Sequence, residues 1–277
     1  MKFTTAANFR TSLETRLGNR ARAEGKDVNR LRMQVAFKRF LARIFHSQEA
    51  WVLKGGYALE VRLHERARST VDLDLGATAQ ADFLTVLQQA ASTPLGDYFE
   101  FIVRGQGTGL LGPPEGGQRF HVEARLVGRA FARFHVDLGL GDVLTSEPEW
   151  IEGQVNLDFA DLPRTRLRVY PLRAHFAEKV HAFTRPRERQ TRVKDLVDLA
   201  LLLTLNLPAD EATLGALRAT FERYGSHDLP PQMPAAPADW ATPFQQMATQ
   251  TGLESPDLAF WEQQLAEFWE RLPWSSG

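Results

Sequence analysis

Residues Trp51–Leu75, WVLKGGYALEVRLHERARSTVDLDL, decide how the whole chain is read. The end of this stretch alternates apolar and acidic residues. Ser69–Leu75 is expected to be a strand, and alternate strand residues share a face. Val71, Leu73 and Leu75 then point into a core, while Asp72 and Asp74 point together to the other side. Two carboxylates at adjacent same-face positions repel, and the pair is costly unless a cation neutralises it. A hard ion such as Mg²⁺ takes one or two carboxylates from protein when nucleotide phosphates and water supply the rest. Upstream, Trp51–Lys54 is a short strand entering Gly55-Gly56, and Tyr57–Leu63 continues as a helix. Glycines at such a junction let a phosphate approach the backbone and the free N–H groups of the helix start. A lone GG is weak evidence. GG followed sixteen residues later by a same-face Asp-x-Asp is much stronger.

A two-metal arrangement needs a third carboxylate. Asp137, in RFHVDLGLGD, is the best candidate: His135 and Asp137 share one strand face, with Phe134, Val136 and Leu138 on the other. The bland alternative makes Asp137 a surface residue of a hairpin. Asp142, beyond two glycines, and Glu123 are poorer choices. A second cluster lies in HFAEKVHAFTR and RVKDLVDL. On the first helix Phe176, Val180 and Phe183 form the buried stripe, and Lys179 lies off it, one turn beyond His175. A lysine there is a mobile point charge suited to a triphosphate. On the second helix Asp195 and Asp198 share a face. Lys179 paired to either aspartate as a structural bridge is the plainer reading, and such a bridge could also aim the lysine.

Working outward, residues 8–23 and 28–46 read as amphipathic helices, the second with Leu31, Val35, Phe40 and Ile44 at helical spacing and Arg and Lys between them. Further helices are expected over Gln80–Ala91, Arg173–Phe183, Asp195–Leu203 and Leu258–Leu272. Strands are expected over Phe99–Arg104 and Leu167–Tyr170, and a hairpin over Arg119–Leu126 and Phe131–Leu138. Gly105–Gly117 reads as a loop. Leu229–Pro243, with five prolines, reads as a linker or an irregular wrap. Strands concentrate between 51 and 170, with helices on both sides. The fold class is α+β: a small mixed sheet flanked by helices, then a helical C-terminal region. The expected domains are 1–170, carrying the N-terminal helices and the sheet, and 171–277, helical.

Composition narrows the function. The 277 residues hold no cysteine, so disulfide scaffolds and cysteine zinc sites are excluded. No run of eighteen apolar residues suggests a membrane span, and MKFTTAANFR has no apolar core of a secretory leader, so the cytosol is the expected compartment. A net charge of -1 hides an asymmetry. Residues 1–45 hold eleven Lys/Arg against three acids, and 162–194 hold ten against two, while the tail from Leu207 holds three Arg against ten acids. Two basic segments suggest a side that meets a polyanion, with solvated helix faces as the ordinary alternative. The seven histidines form no zinc-binding pattern, and only His135, beside Asp137, is a candidate for function. GQGTGLLG at 105–112 lacks the dinucleotide-site order of glycines.

LKGGYALEVRLHERARSTVDLDL resembles the GG-x-A-L…R-x-T-x-D-x-D signature of the AbiEii/MenT nucleotidyltransferase toxins, a family within the nucleotidyltransferase fold superfamily. Gly55, Gly56, Leu59, Arg68, Thr70, Asp72 and Asp74 carry it. AEKVHAFTRPRERQTRVKDLVDL is similar to the family's later motifs through Lys179, Arg185, Asp195 and Asp198. The resemblance runs from about Leu31 to Leu203. It implies a catalytic set of Asp72, Asp74, Asp137, Lys179 and Asp195. It implies Mg²⁺ (or Mn²⁺) on Asp72, Asp74 and Asp137. The NTP would be held by Lys54, Gly55, Gly56, Arg68 and Asp198. It further implies transfer of a nucleotide to RNA, at the 3′ acceptor end of tRNA, and a cognate antitoxin. The rivals are a transferase of the same fold acting on protein or a small molecule, and a non-catalytic nucleotide-binding module.

Overall fold

The computed structural model describes residues 1–47, 51–68, 70–77, 81–109, 117–142, 144–153, 157–186 and 192–274. The chain divides into two compact units. The first comprises Met1–Tyr57, Ser69–Asp142 and Glu149–Val169; the second comprises Ala58–Arg68, Val143–Pro148 and Tyr170–Gly277. Together they form the α+β fold expected, with a mixed sheet and a helical C-terminal region.

The first unit contains the helices α1 (Ala6–Glu24), α2 (Val28–Ser47) and α4 (Phe83–Ala91), and a sheet. The strands are β1 (Val52–Lys54), β2 (Asp72–Ala77), β3 (Phe99–Gly109), β4 (Gly117–Leu126), β5 (Arg129–Leu140), β6 (Glu149–Glu152) and β7 (Arg166–Val169). They lie in the order β3-β4-β5-β2-β1-β7-β6. Strand β2 runs parallel to β5 and antiparallel to β1, and β1 runs parallel to β7. Alternation gives the sheet one apolar face: Leu53, Leu73, Leu75, Phe120, Val122, Phe134, Val136, Leu138, Leu167 and Val169 are buried. Helix α2 packs on β5 and β7, and Phe37 meets the Phe134 ring edge-on at 4.9 Å between centroids. The opposite face keeps the charged residues.

Several expectations needed adjusting. Strand β2 starts at Asp72, so Val71 precedes the ladder and is 63% exposed instead of entering the core. Ser69 lies outside the described residues, as does the centre of the expected loop at 110–116. The flanks of that loop are strand: β3 continues to Gly109 and β4 begins at Gly117. Pairing of Leu126 with Arg129 leaves a two-residue turn, Val127-Gly128, with both φ values positive, the conformation that matches strand twist in tight hairpins. Strand β6 carried no alternation to announce it.

Helix α2 is the larger surprise. Three of its basic residues are not on a solvated face: Lys38, Arg39 and Arg43 are each only 2% exposed. Arg39 Nε donates to Asp97 Oδ2 at 2.6 Å, and Arg43 donates to both Asp97 oxygens at 2.9 and 2.6 Å and to the Phe99 carbonyl at 3.0 Å. Lys38 donates to the Gly153 carbonyl at 2.8 Å, and burial, helped by the Arg39 charge, pushes its amine down to about 8. Part of the N-terminal basic excess is therefore internal wiring.

Helix α3 (Gly55–Leu63), which the chain enters from β1, begins in the first unit and continues from Ala58 as part of the second. The remaining helices are α5 (Leu172–Thr184), α6 (Val193–Leu203), α7 (Glu211–Tyr224), α8 (Ala241–Thr251) and α9 (Leu258–Glu270). α5 packs on α6 and α7, and α6 on α8 and α9. Phe176, Val180, Leu199, Leu217, Phe244 and Trp269 lie in one core with Leu59 and Leu63. The proline-rich 229–243 segment is a wrap. Its Ala236 N–H donates to Glu262 at 2.6 Å, and Trp240 is buried.

Asp97 sets a stability prediction for the first unit. Burial alone would raise its carboxyl; the Arg43 and Arg39 partners outweigh that and hold it below the ordinary carboxylate value. A lowered folded-state pKa stabilises the fold above the unfolded value of about 4 and is lost as pH falls through the folded value. Asp97→Ala should cost roughly 3–5 kcal/mol in urea unfolding, because two buried guanidinium groups lose their counter-charge. The gap between the two proteins should shrink on acidification below about pH 4.

Candidate active site

On the polar face of the sheet the register sets a row of side chains. Lys54 pairs with Asp74, Asp74 with Asp137, and Asp137 with Arg119, across β1, β2, β5 and β4. One step along, Asp72 pairs with His135 and His135 with His121. Adjacent strands lie about 4.8 Å apart, so Asp74 and Asp137 face the same small volume. Asp72 is about one third exposed, and its Oδ1 lies 3.1 Å from His135 Nδ1, close enough to accept a hydrogen bond from it. The His121 and His135 rings meet edge-on at 4.5 Å between centroids.

Gly55 begins helix α3, two residues earlier than the pattern suggested, with φ of +61°. A Cβ at this position would sit 2.6 Å from Asp74 Cγ. The glycine is thus required twice: for its left-handed backbone and for the space the Asp74 carboxylate fills. The first N–H groups of α3 begin beside that carboxylate.

Asp137 accepts a two-pronged bond from Arg119, Nε to Oδ1 at 2.7 Å and Nη2 to Oδ2 at 2.5 Å. The Asp137 bond first, then the charges of Asp137, Asp72 and Asp74, raise the Arg119 guanidinium above its usual value. Arg119 drew no notice in the sequence; its place opposite Asp137 in a hairpin was the available signal. Asp142 lies beyond the end of β5, as expected, yet its side chain is only 6% exposed. It is paired to Lys54, lies against Gly76, and its Oδ2 is buried with no hydrogen-bond partner. Glu123 stands apart, held by Arg125 and Arg133 at the rim.

Among the described residues no three His, Asp or Glu side chains converge closely enough to cage a metal ion. The donors present nevertheless suit Mg²⁺ or Mn²⁺. They are carboxylate oxygens on one face, and a hard cation bound through one or two of them completes its shell with phosphate and water.

The other expected residues gather in the second unit. Arg68 grips Asp198 with two bonds of 2.8 and 3.0 Å. Lys179 Nζ lies 2.7 Å from Asp198 and 3.0 Å from Asp195, and Arg192 reaches Asp195 at 3.3 Å. Asp198 is fully buried. Burial would lower the Lys179 amine, but Asp198 and Asp195 outweigh it and raise it; the same burial would raise Asp198, but Lys179 and Arg68 hold it down. The bridge reading of Lys179 is thus realised by both aspartates. Lys179→Met should destabilise the protein by about 3–5 kcal/mol in chemical unfolding, since two buried carboxylates lose their shared cation; a loss under 1 kcal/mol would contradict this.

Comparison with known proteins places the chain in a family. The family described as nucleotidyl transferase AbiEii toxin, Type IV TA system, matches residues 39–271. The chain is similar in structure to MenT4, a nucleotidyltransferase toxin from Mycobacterium tuberculosis, at TM-score 0.58 and 16% identity over 98% of this chain and 99% of that one. A weaker likeness, TM-score 0.46 and 14% identity over 87% and 90% of the two chains, links it to JHP933 from Helicobacter pylori. No curated protein matches by sequence. At these identities the solved structures speak for the fold, while the family match spans most of the chain: this protein belongs to the AbiEii family of nucleotidyltransferase toxins.

Proposed function

We propose that the chain transfers a nucleoside monophosphate from an NTP to an RNA acceptor, the 3′ end of tRNA, releasing pyrophosphate, and that a cognate antitoxin restrains it. The observation that carries this is the placement of Asp72 and Asp74 on one sheet face, with Asp74 seated over the bare backbone of Gly55 at the start of α3. Asp72 and Asp74, joined by Asp137, would hold Mg²⁺ or Mn²⁺, and such a cation supplies charge neutralisation at the phosphates. The Gly55-Gly56 backbone N–H groups receive the β- and γ-phosphates. Asp74 or Asp137 takes the proton of the acceptor hydroxyl. The hydroxyl oxygen bonds to the α-phosphorus as the bond to the bridging oxygen breaks, and pyrophosphate leaves with the electron pair. Lys54 places a positive charge beside the leaving group. Positioning and electrostatics supply most of the rate in such chemistry. The exposed share of the basic N-terminal segment would give an RNA affinity without sequence preference. No helix among the described residues is long and apolar enough to cross a membrane.

The test incubates the protein with Mg²⁺, each α-labelled NTP and total RNA. Label should enter a tRNA-sized band, and the Asp72→Ala and Asp74→Ala proteins should lose about 10³-fold or more in rate. Their melting temperature should hold or rise, because same-face carboxylate repulsion is relieved. Label in protein or in a small molecule instead would replace RNA as the acceptor; no label under any condition would remove the transferase reading. Gly55→Ala should lower transfer by about 10²-fold, because the new methyl displaces Asp74 by roughly an ångström. Unchanged turnover in Gly55→Ala would refute the seating of Asp74 over this glycine.

A further inference from the structure

The Arg119–Asp137 fork lies within the row that holds Asp74, and its partner charge is the third carboxylate of the transferase reading. Arg119 comes from β4, the strand beyond β5, and its side chain remains 35% exposed. It is therefore held by Asp137 and still has room to move. Three carboxylates on neighbouring positions of β2 and β5 repel in the absence of a cation, and a guanidinium is well shaped to neutralise one of them in two bonds. The same two Asp137 oxygens are the ones a metal ion would take. A guanidinium and a divalent cation cannot both own them.

From this we infer that Arg119 is a built-in counter-cation that guards Asp137 in the nucleotide-free protein and moves to the triphosphate when the metal-bound nucleotide arrives. This rests on the transferase reading for the identity of the incoming ligand. The exchange is balanced in charge: the incoming cation replaces the guanidinium at Asp137, and the phosphates replace Asp137 at the guanidinium. Arg119 is a positioning residue in the free state and a phosphate contact in the loaded one. Its role couples metal and nucleotide: metal alone must displace the arginine into solvent, whereas metal with nucleotide gives the arginine a new partner.

The coupling can be read without turnover. Mn²⁺ binding to the full chain, without nucleotide, is measured by the electron paramagnetic resonance of free Mn²⁺. Arg119→Gln should tighten Mn²⁺ binding about tenfold, the size expected for a charge-assisted bond that no longer competes. The gain should vanish when Asp137→Asn is also present. A general effect of deleting one positive charge would persist in that double variant, and its persistence overturns the proposal, as does an unchanged affinity in Arg119→Gln. In the second arm, binding of a non-hydrolysable NTP with Mg²⁺ should weaken about tenfold in Arg119→Gln and recover partly in Arg119→Lys. Nucleotide affinity equal to the parent protein overturns the move to the phosphates. Should Arg119→Gln fold poorly by circular dichroism, Arg119→Met, which also removes the charge and the fork, carries both arms. Asp72→Asn and Asp74→Asn distinguish the two readings. If they leave Mn²⁺ binding intact, the carboxylate site fails; if they abolish it while Arg119→Gln has no effect, the site stands and the counter-cation falls.

Discussion

The register of β2 is the constraint on which the remainder depends. Its side chains alternate without slack: Leu73 and Leu75 are buried to within 1% exposure, and Asp72 and Asp74 stand on the other side. A slip of one residue would drive two carboxylates into the apolar layer and expose two leucines. The strand is locked on both sides, antiparallel to β1 and parallel to β5. The same locking brings Lys54 and Asp137 beside Asp74. Fold and site are thus set by one alternation, and no substitution that shifts the strand can spare the other function.

Charge is used in two opposite ways. In the second unit, Asp198, Asp195, Lys179 and Arg68 form a closed network in which every charge has a partner and the acids are buried. Around Asp97 in the first unit the same holds for two arginines. Such networks hold elements in place, and breaking one costs more than the bond itself because a buried charge is stranded. On the sheet face the balance is left incomplete. Asp72 is part-exposed with an imidazole beside it, Asp137 is paired to a part-exposed arginine, and Asp142 keeps one oxygen buried without a partner.

The sheet's polar face was legible because alternation is a local property. Leu73-Asp74-Leu75 and Val136-Asp137-Leu138 announce their faces in three residues each, and the GG before a helix is equally local. The resemblance to nucleotidyltransferase toxins rested on the glycine pair and the Asp-x-Asp, with Arg68 between them, and on Lys179, Arg185, Asp195 and Asp198 further on. What was hidden is what depends on distant partners. Nothing in α2 says that Arg39 and Arg43 meet Asp97, more than fifty residues away, so a helix whose basic residues suggested a polyanion-facing side or a solvated face keeps three of them buried. Arg119 is indistinguishable from any strand arginine until Asp137 is placed opposite it. Val71 misled because alternation does not mark where a ladder begins. Helices α7 and α8 were missed although Asp210 and Gly225 cap α7 at its two ends, with the Asp210 side chain accepting from the Thr213 N–H; these signals were present and unused.

The parallel pairing of β2 with β5 has a temporal side. Asp72 and His135 lie 63 residues apart, and the chain between them must form α4, β3 and β4 before the two strands can meet. Strand β1 waits longer still, since its parallel neighbour β7 ends at Val169. Long-range pairings of this kind form late and set the pace of folding. A ribosome that has delivered the glycine pair and the Asp-x-Asp strand has therefore delivered no assembled site. The row across β1, β2, β5 and β4 is complete only when the middle of the sheet closes around segments made well after the glycine pair and the Asp-x-Asp strand.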